Sequence, residues 1–172
     1  MEQIRLATLQ DAENIAQLGK TTFKEAFGTF FDAPENLKTY LETTFNLNKI
    51  EQSLQKENNV YWIALVGEKP VGYAKLKLRS PSPFLETDKV SQLQKIYVLQ
   101  DFLSMKIGKR LQDALIARAQ QTQNKQLWLS VWNGNKRAIR FYEKNDFKII
   151  GNHQFTIGEQ SFDFTAMSKA IG

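Results

Sequence analysis

Residues Leu93 to Gln121 read LQKIYVLQDFLSMKIGKRLQDALIARAQQ, and the hydrophobic period changes partway through the stretch. Up to Val98 the apolar-rich run reads as the second half of a strand starting at Val90. From Ile107 the apolar residues recur at Leu111, Ala114, Leu115 and Ala119, the spacing of an amphipathic helix that ends near Gln121. Leu127 to Trp132 then returns to strand. Strand, tight turn, helix and strand make a crossover unit, which places a ligand at the turn on the carboxyl edge of the first strand. That turn carries Lys106, Gly108, Lys109 and Arg110. A helix start exposes unpaired N–H groups and a partial positive charge, so it suits a phosphate. The turn has no G-x-G-x-x-G and no P-loop pattern, and a single glycine before a helix also serves simple packing.

Working outward, Ile4 and Leu6 suggest a first strand. Thr8 with Asp11 then gives a capping-box start to a helix running to about Phe27, its stripe being Ile15, Leu18, Thr22 and Ala26. Pro34 opens a helix to Phe45, and Asn48 is expected to cap another through about Lys56. Val60 to Val66 and Val71 to Leu78 flank Gly67, Glu68, Lys69 and Pro70 as a hairpin. Beyond the crossover, Lys136 to Lys144 reads as a short helix. Two strands follow, at about Phe147 to Phe155 and Phe162 to Ser168, joined through Gly158 and Glu159. The expectation is one α/β domain over residues 1–172.

Composition narrows the chemistry. With 172 residues, 42% hydrophobic and 24% charged, the chain can bury the core of one domain. It has no cysteine and one histidine, His153, which excludes disulfides, thiol catalysis and thiolate or histidine-cluster metal sites; no metal is expected. The formal charge of +5 is spread along the chain, so no nucleic-acid partner is expected, and a phosphate-bearing small molecule suits it better. The first residues lack a basic segment followed by an apolar run, and no stretch is long enough to span a bilayer. The expectation is a soluble, cytoplasmic protein with no membrane partner.

Three segments taken together carry a resemblance: Gln94 to Val98, Gly108-Lys109-Arg110-Leu111, and Asn135 to Phe147, which reads NKRAIRFYEKNDF. In order and spacing they are similar to the acetyl-CoA motifs of the GNAT superfamily of N-acetyltransferases, and the segment order of the whole chain fits. The resemblance implies a mixed, mostly antiparallel sheet of about seven strands with helices on both faces, its fourth and fifth strands splayed into a cleft. It implies acetyl-CoA as co-substrate, with Ile96, Tyr97 and Val98 along the pantetheine arm and Met105, Lys106, Ile107, Gly108, Lys109 and Arg110 around the pyrophosphate. Asn135 and Ala138 would sit near the pantetheine, Asn135 having helix capping as its other reading, and Lys144 near the nucleotide. Tyr142 would be the general acid that protonates the departing CoA sulfur. The chain departs from the family at Leu103 and Lys106, where the pattern has Gln or Arg and a first glycine. It also departs on the fourth strand, where Gln92 and Gln94 replace the glutamate base of many relatives and cannot take a proton.

A narrower resemblance covers Thr22 to Phe27, Pro34 to Asn46 and Leu127 to Trp132, which look like stretches of the PaiA-type bacterial spermidine and spermine N-acetyltransferases. It implies a small-molecule amine, a polyamine first. Glu25, Glu35 and Glu86 are the candidate carboxylates, and Trp128 and Trp132 a candidate aromatic wall, unless the two indoles only pack the sheet. Another small amine, an aminoglycoside-like compound or a peptide N-terminus stays open, as does a CoA-binding regulator without turnover. Members of the family are often dimers, so a homodimer is expected.

Overall fold

The computed structural model describes residues 1–172. Its elements in chain order are β1 (Glu2–Leu6), α1 (Ala12–Phe27), α2 (Pro34–Thr44), α3 (Leu47–Leu54), β2 (Asn59–Val66), β3 (Lys69–Lys77) and β4 (Val90–Val98). They continue with α4 (Ile107–Gln121), β5 (Gln126–Trp132), α5 (Lys136–Lys144), β6 (Lys148–Ile157) and β7 (Gln160–Ala170). The expected order holds and most limits fall within two residues of the expectation, β3 starting at Lys69 rather than Val71 and β7 running over Gln160–Ala170 rather than from Phe162 to Ser168. Asn46, not Asn48, caps α3: its Oδ1 accepts from the Asn48 and Lys49 amides at 2.9 and 3.4 Å, which starts the helix two residues earlier. The α1 entry is tied down by Asp11, which accepts from the Thr8 amide at 2.7 Å and from both ends of the Arg5 guanidinium at 2.8 and 2.9 Å. The Arg5 hydrogen bond holds the Asp11 carboxyl below its ordinary value, so β1 and α1 are stapled by a charge-assisted pair.

The strands form one sheet in the order β1-β2-β3-β4-β5-β7-β6. Every neighbouring pair is antiparallel except β4 and β5, which run parallel because α4 crosses between them. This is the GNAT fold. Side chains alternate between two cores. Leu76, Leu93, Leu127, Leu129 and Met167 pack under α4 and α5 with Ile107, Leu111 and Leu115. Tyr61, Ile63 and Tyr73 pack under α1 and α3 with Ile15, Leu18 and Ile50.

Two irregularities of β4 create the site. Its parallel pairing with β5 ends after Val90–Gln126, Ser91–Leu127 and Gln92–Trp128, whereas β5 stays paired with β7 as far as Trp132. The two strands therefore diverge, and the β5-facing peptide groups of β4 beyond Gln92 have no strand partner. Opposite β3, Lys75 pairs with Lys95 while Leu76 pairs with Leu93, so Gln94 is an extra residue. Such a bulge bends the strand and sharpens its twist, here where the neighbour peels away. Buried N–H and C=O groups are costly unpaired, so a divergence of this kind is a place that favours a ligand. No helix of the chain is long and apolar enough to cross a membrane.

Candidate active site

An open cleft of about 820 Å³ follows the divergence. Ile96, Tyr97 and Val98 line it from β4, Lys106, Gly108 and Lys109 from the start of α4, and Asn135, Ala138, Tyr142 and Lys144 from α5 and its cap. Glu25 lines it from α1, accepting at 3.2 Å from the Gln100 amide. Thr22, Ala26, Gln100, Leu103, Arg137, Phe141 and Asn145 also line it. The sequence reading did not pick them for the site, although Thr22, Phe141 and Asn145 lie three residues from Glu25, Ala138 and Tyr142 and so on the same helix faces.

The turn before α4 has a specific backbone shape. Lys106 caps the helix at φ 59°, ψ 22°, in the left-handed region, and this explains why a glycine is common there. A side chain in that conformation costs about 1 kcal/mol. In exchange, a cationic residue lines the cleft at the start of the helix. Ile107 is fully buried in the core, so only its backbone can face the cleft. Arg110 turns away and pairs with Glu2 at 2.9 Å, and Lys109 is shared with Asp113 one turn on. Met105 packs on the edge of the core. A Cβ built on Gly108 would meet only the Phe141 ring tip at 3.9 Å, so the protein itself leaves room for a side chain there. The space in front of Gly108 is therefore available to a ligand.

Asn135 caps α5, its Oδ1 accepting from the Ala138 amide at 3.1 Å, which leaves its NH₂ group free on the cleft side. Tyr142 sits on the inner face of α5, packed against Phe141 and Phe147 at ring distances of 5.4 and 5.5 Å. Burial pushes its phenol well above its ordinary value, and the same holds for Tyr97 across the cleft. Tyr142 is thus a neutral O–H donor at neutral pH.

The opposite face of the divergence differs in chemistry. Trp132, Phe23, Phe27, Phe31, Tyr40, Phe155, Ile157, Phe162 and Phe164 line a small, half-open and largely apolar cavity of about 40 Å³ under α1 and α2. Trp132 is wedged between Phe30 at 4.5 Å, Phe27 at 5.5 Å and Phe162 at 5.9 Å. Trp128 lies on the same side of β5, but it is buried and donates to the Ser80 carbonyl at 2.7 Å, so it anchors the loop after β3. Between them Ser130 Oγ lies 2.8 Å from His153 Nε2 on β6. Glu35 and Glu86 are exposed and line neither the cleft nor the cavity. On this face Lys75 and Lys95 stand side by side across β3 and β4, over the rings of Tyr61 and Phe45 at 5.6 and 4.4 Å. Neither pairs with an acid. Burial, with neighbouring lysines for Lys75, pushes them down to about 7 and about 8. No cluster of histidine, cysteine, aspartate or glutamate of metal-site size is present.

A sheet opened beside a basic helix start, with a phenol on the adjoining helix, is the architecture of an acyltransferase that takes its acyl group from a CoA thioester. Residues 21–147 match the acetyltransferase (GNAT) family, and the chain belongs to that family. It is similar to an uncharacterised N-acetyltransferase of Lactobacillus delbrueckii subsp. lactis, 23% identical over 94% of this chain and 93% of that one. It is also similar to an uncharacterised N-acetyltransferase of Mycobacterium tuberculosis, 27% identical over 87% and 91%. Among solved structures, the PaiA N-acetyltransferase of Thermoplasma acidophilum in complex with coenzyme A superposes with a TM-score of 0.78. It is 20% identical and covers 99% of both chains.

Proposed function

We propose that the protein transfers the acetyl group of acetyl-CoA to a primary amine by direct attack of the amine on the thioester. The observation that carries this reading is the unpaired run of β4 past Gln92, facing a cleft also lined by Tyr142, Asn135 and the basic start of α4. Its volume lies in the range of roughly 300–1,000 Å³ that small-molecule sites occupy. The peptide groups of Ile96 to Val98 would bond the pantetheine amides, as a further strand would. The amides from Met105 to Lys109, with the ammonium groups of Lys106 and Lys109, would hold the pyrophosphate, the Arg110 amide being bonded to the Lys106 carbonyl at 3.2 Å. The Asn135 NH₂ group and the small Ala138 would adjoin the arm, and Lys144 the nucleotide end.

Attack forms the N–C bond and breaks the C–S bond, and the sulfur needs a proton as it leaves. Tyr142 supplies it. Its raised pKa does not defeat this role, because the buried setting that disfavours a phenolate also disfavours a thiolate on the sulfur.

A polyamine such as spermidine or spermine is the first acceptor to test. It is supported by the PaiA likeness, by Glu25 on the cleft wall and by aromatic faces that attract a cationic chain. The apolar cavity favours a second reading. It has no carboxylate in its lining and two unpaired lysines on the same face of the sheet, which suits an amine bearing a compact apolar or aromatic group. CoA release from acetyl-CoA, measured with spermidine, spermine, 2-phenylethylamine and unrelated amines, tests both. Turnover preferring polyamines supports the first, turnover preferring 2-phenylethylamine the second, and none with any amine overturns amine acetylation.

A further inference from the structure

An alkylammonium of pKa about 10.4 must lose a proton before it can attack; Gln92 and Gln94 of β4 cannot take one, and Lys95 can do so only in its neutral form. Glu35, Glu86 and Asp88 are exposed and line neither the cleft nor the cavity, and Glu25 is exposed with one oxygen accepting from the Gln100 amide. The geometry points to Ser130 and His153 as the proton-accepting relay of the acetyl transfer. The inference rests on the amine-acetylation reading above.

Three observations place the relay. Leu127, Leu129 and Val131 of β5 face the core under α4, so the alternating Ser130 faces the α1 and α2 side. Ser130 lies on β5 two residues beyond Trp128, where the β4 pairing ends. His153 Nε2 is 2.8 Å from the Ser130 hydroxyl. With its proton on Nδ1, the neutral ring accepts at Nε2. The imidazole is half-buried, 5.5 Å from the Phe164 ring and 6.5 Å from the Phe84 ring, and no acid pairs with it. The chain's ion pairs are Arg5–Asp11, Lys109–Asp113 and Arg110–Glu2.

The relay also borders the apolar cavity. Trp132 follows Ser130 on the same face of β5, Phe155 follows His153 on the same face of β6, and Phe164 is the register partner of His153. An ammonium beside these rings is poorly hydrated, which favours its neutral form. Tyr142 packs with the core on the α4 and α5 side. Ser130 and Tyr142 therefore lie on opposite faces of the sheet, and His153 stands on β6, beyond β7.

The proton count closes. The ammonium passes one proton to Ser130 Oγ as the Ser130 hydroxyl passes its own to His153 Nε2, and the imidazolium releases it to water. As the N–C bond forms and the C–S bond breaks, Tyr142 protonates the sulfur, and the nitrogen's second proton restores the phenol. The third stays as the amide N–H.

The test compares wild type, His153→Ala, Ser130→Ala and His153→Gln with spermidine, 2-phenylethylamine and 2,2-difluoro-2-phenylethylamine, whose amine is far less basic. The expected result is a kcat reduced about 100-fold for basic amines in each variant, with the KM for acetyl-CoA unchanged. The loss is much smaller with the difluoro amine, and free imidazole restores His153→Ala but not Ser130→Ala. Undiminished kcat in His153→Gln and Ser130→Ala overturns the relay while leaving amine acetylation standing. Equal losses with basic and weakly basic amines, without imidazole rescue, overturn it too, because packing alone would produce them. A wild type that acetylates none of the three overturns the reading beneath it.

Discussion

The two sides of the opening between β4 and β5 are built on different principles. The side toward α4 and α5 takes much of its chemistry from backbone, through unpaired strand peptides and the free amides of a helix start, joined by the side-chain NH₂ of Asn135 and the Tyr142 phenol. The side toward α1 and α2 takes its chemistry from side chains, with nine apolar residues around one cavity and a serine–histidine pair beside it. Backbone geometry tolerates substitution, so the first side keeps its form even where Lys106 replaces a glycine. Side-chain walls change with every substitution, so the second is where one family comes to serve different amines.

If this contrast holds, variants on the two sides separate in their kinetics. Tyr142→Phe has the largest expected effect, a loss of kcat of about 100-fold or more that is the same for every amine, because it acts on the sulfur. Steady-state rates across an amine panel check it, and a loss that varied with the amine would break the contrast. Trp132→Leu is expected to raise the KM for the acceptor about tenfold, near 1.4 kcal/mol, with the KM for acetyl-CoA unchanged. Gly108→Ala should do the reverse, raising the KM for acetyl-CoA several-fold by filling space in front of the turn. Because the protein leaves 3.9 Å for that methyl, its melting temperature should not fall. Lys106→Gly should stabilise the fold by about 1 kcal/mol in denaturant unfolding, by relieving the left-handed backbone, while weakening CoA binding through the lost ammonium.

The lysine pair, away from the cleft lining, bears on stability alone. The folded-state pKa of Lys75 is lowered to about 7, so its burial cost is borne in full below that pH. The cost is relieved as pH rises from there toward the ordinary lysine range. Lys75→Met should therefore be more stable than wild type at pH 6, with the advantage shrinking by pH 10. Unfolding free energies at the two pH values check it.

The same contrast explains what could be read from the sequence. Helix and strand limits were legible because their punctuation is local: Thr8 and Asp11 before α1, Pro34 at the start of α2, and the turns around Gly67 and Gly158. Part of the cleft lining was legible for the same reason, since β4, the start of α4 and α5 present Ile96 to Val98, Lys106 to Lys109 and Asn135 to Lys144 in short runs, whereas Thr22, Ala26 and Gln100 were not picked. The α3 start was misplaced because Asn46 and Asn48 are both competent caps two residues apart, and only the fold shows which side chain reaches the amides. The apolar cavity gathers Phe23, Tyr40, Trp132, Phe155 and Phe164 from five separate elements, and each reads singly as ordinary packing. His153 belonged to no cluster, and its partner Ser130 lies far off in the chain and meets it only through the sheet order.

The extra residue in β4 separates folding from function in an unusual way. Lys95 pairs with Lys75 and Leu93 with Leu76, so the ladder is complete on both sides of Gln94 without it. Removing Gln94 would leave every neighbour opposite its present partner and on its present face of the sheet. Most deletions within a central strand scramble everything beyond them. This one is expected to yield an orderly, straighter strand lying closer to β5, a well-folded protein that has lost its doorway. In Gln94 the chain carries a residue that its architecture can do without and its chemistry cannot.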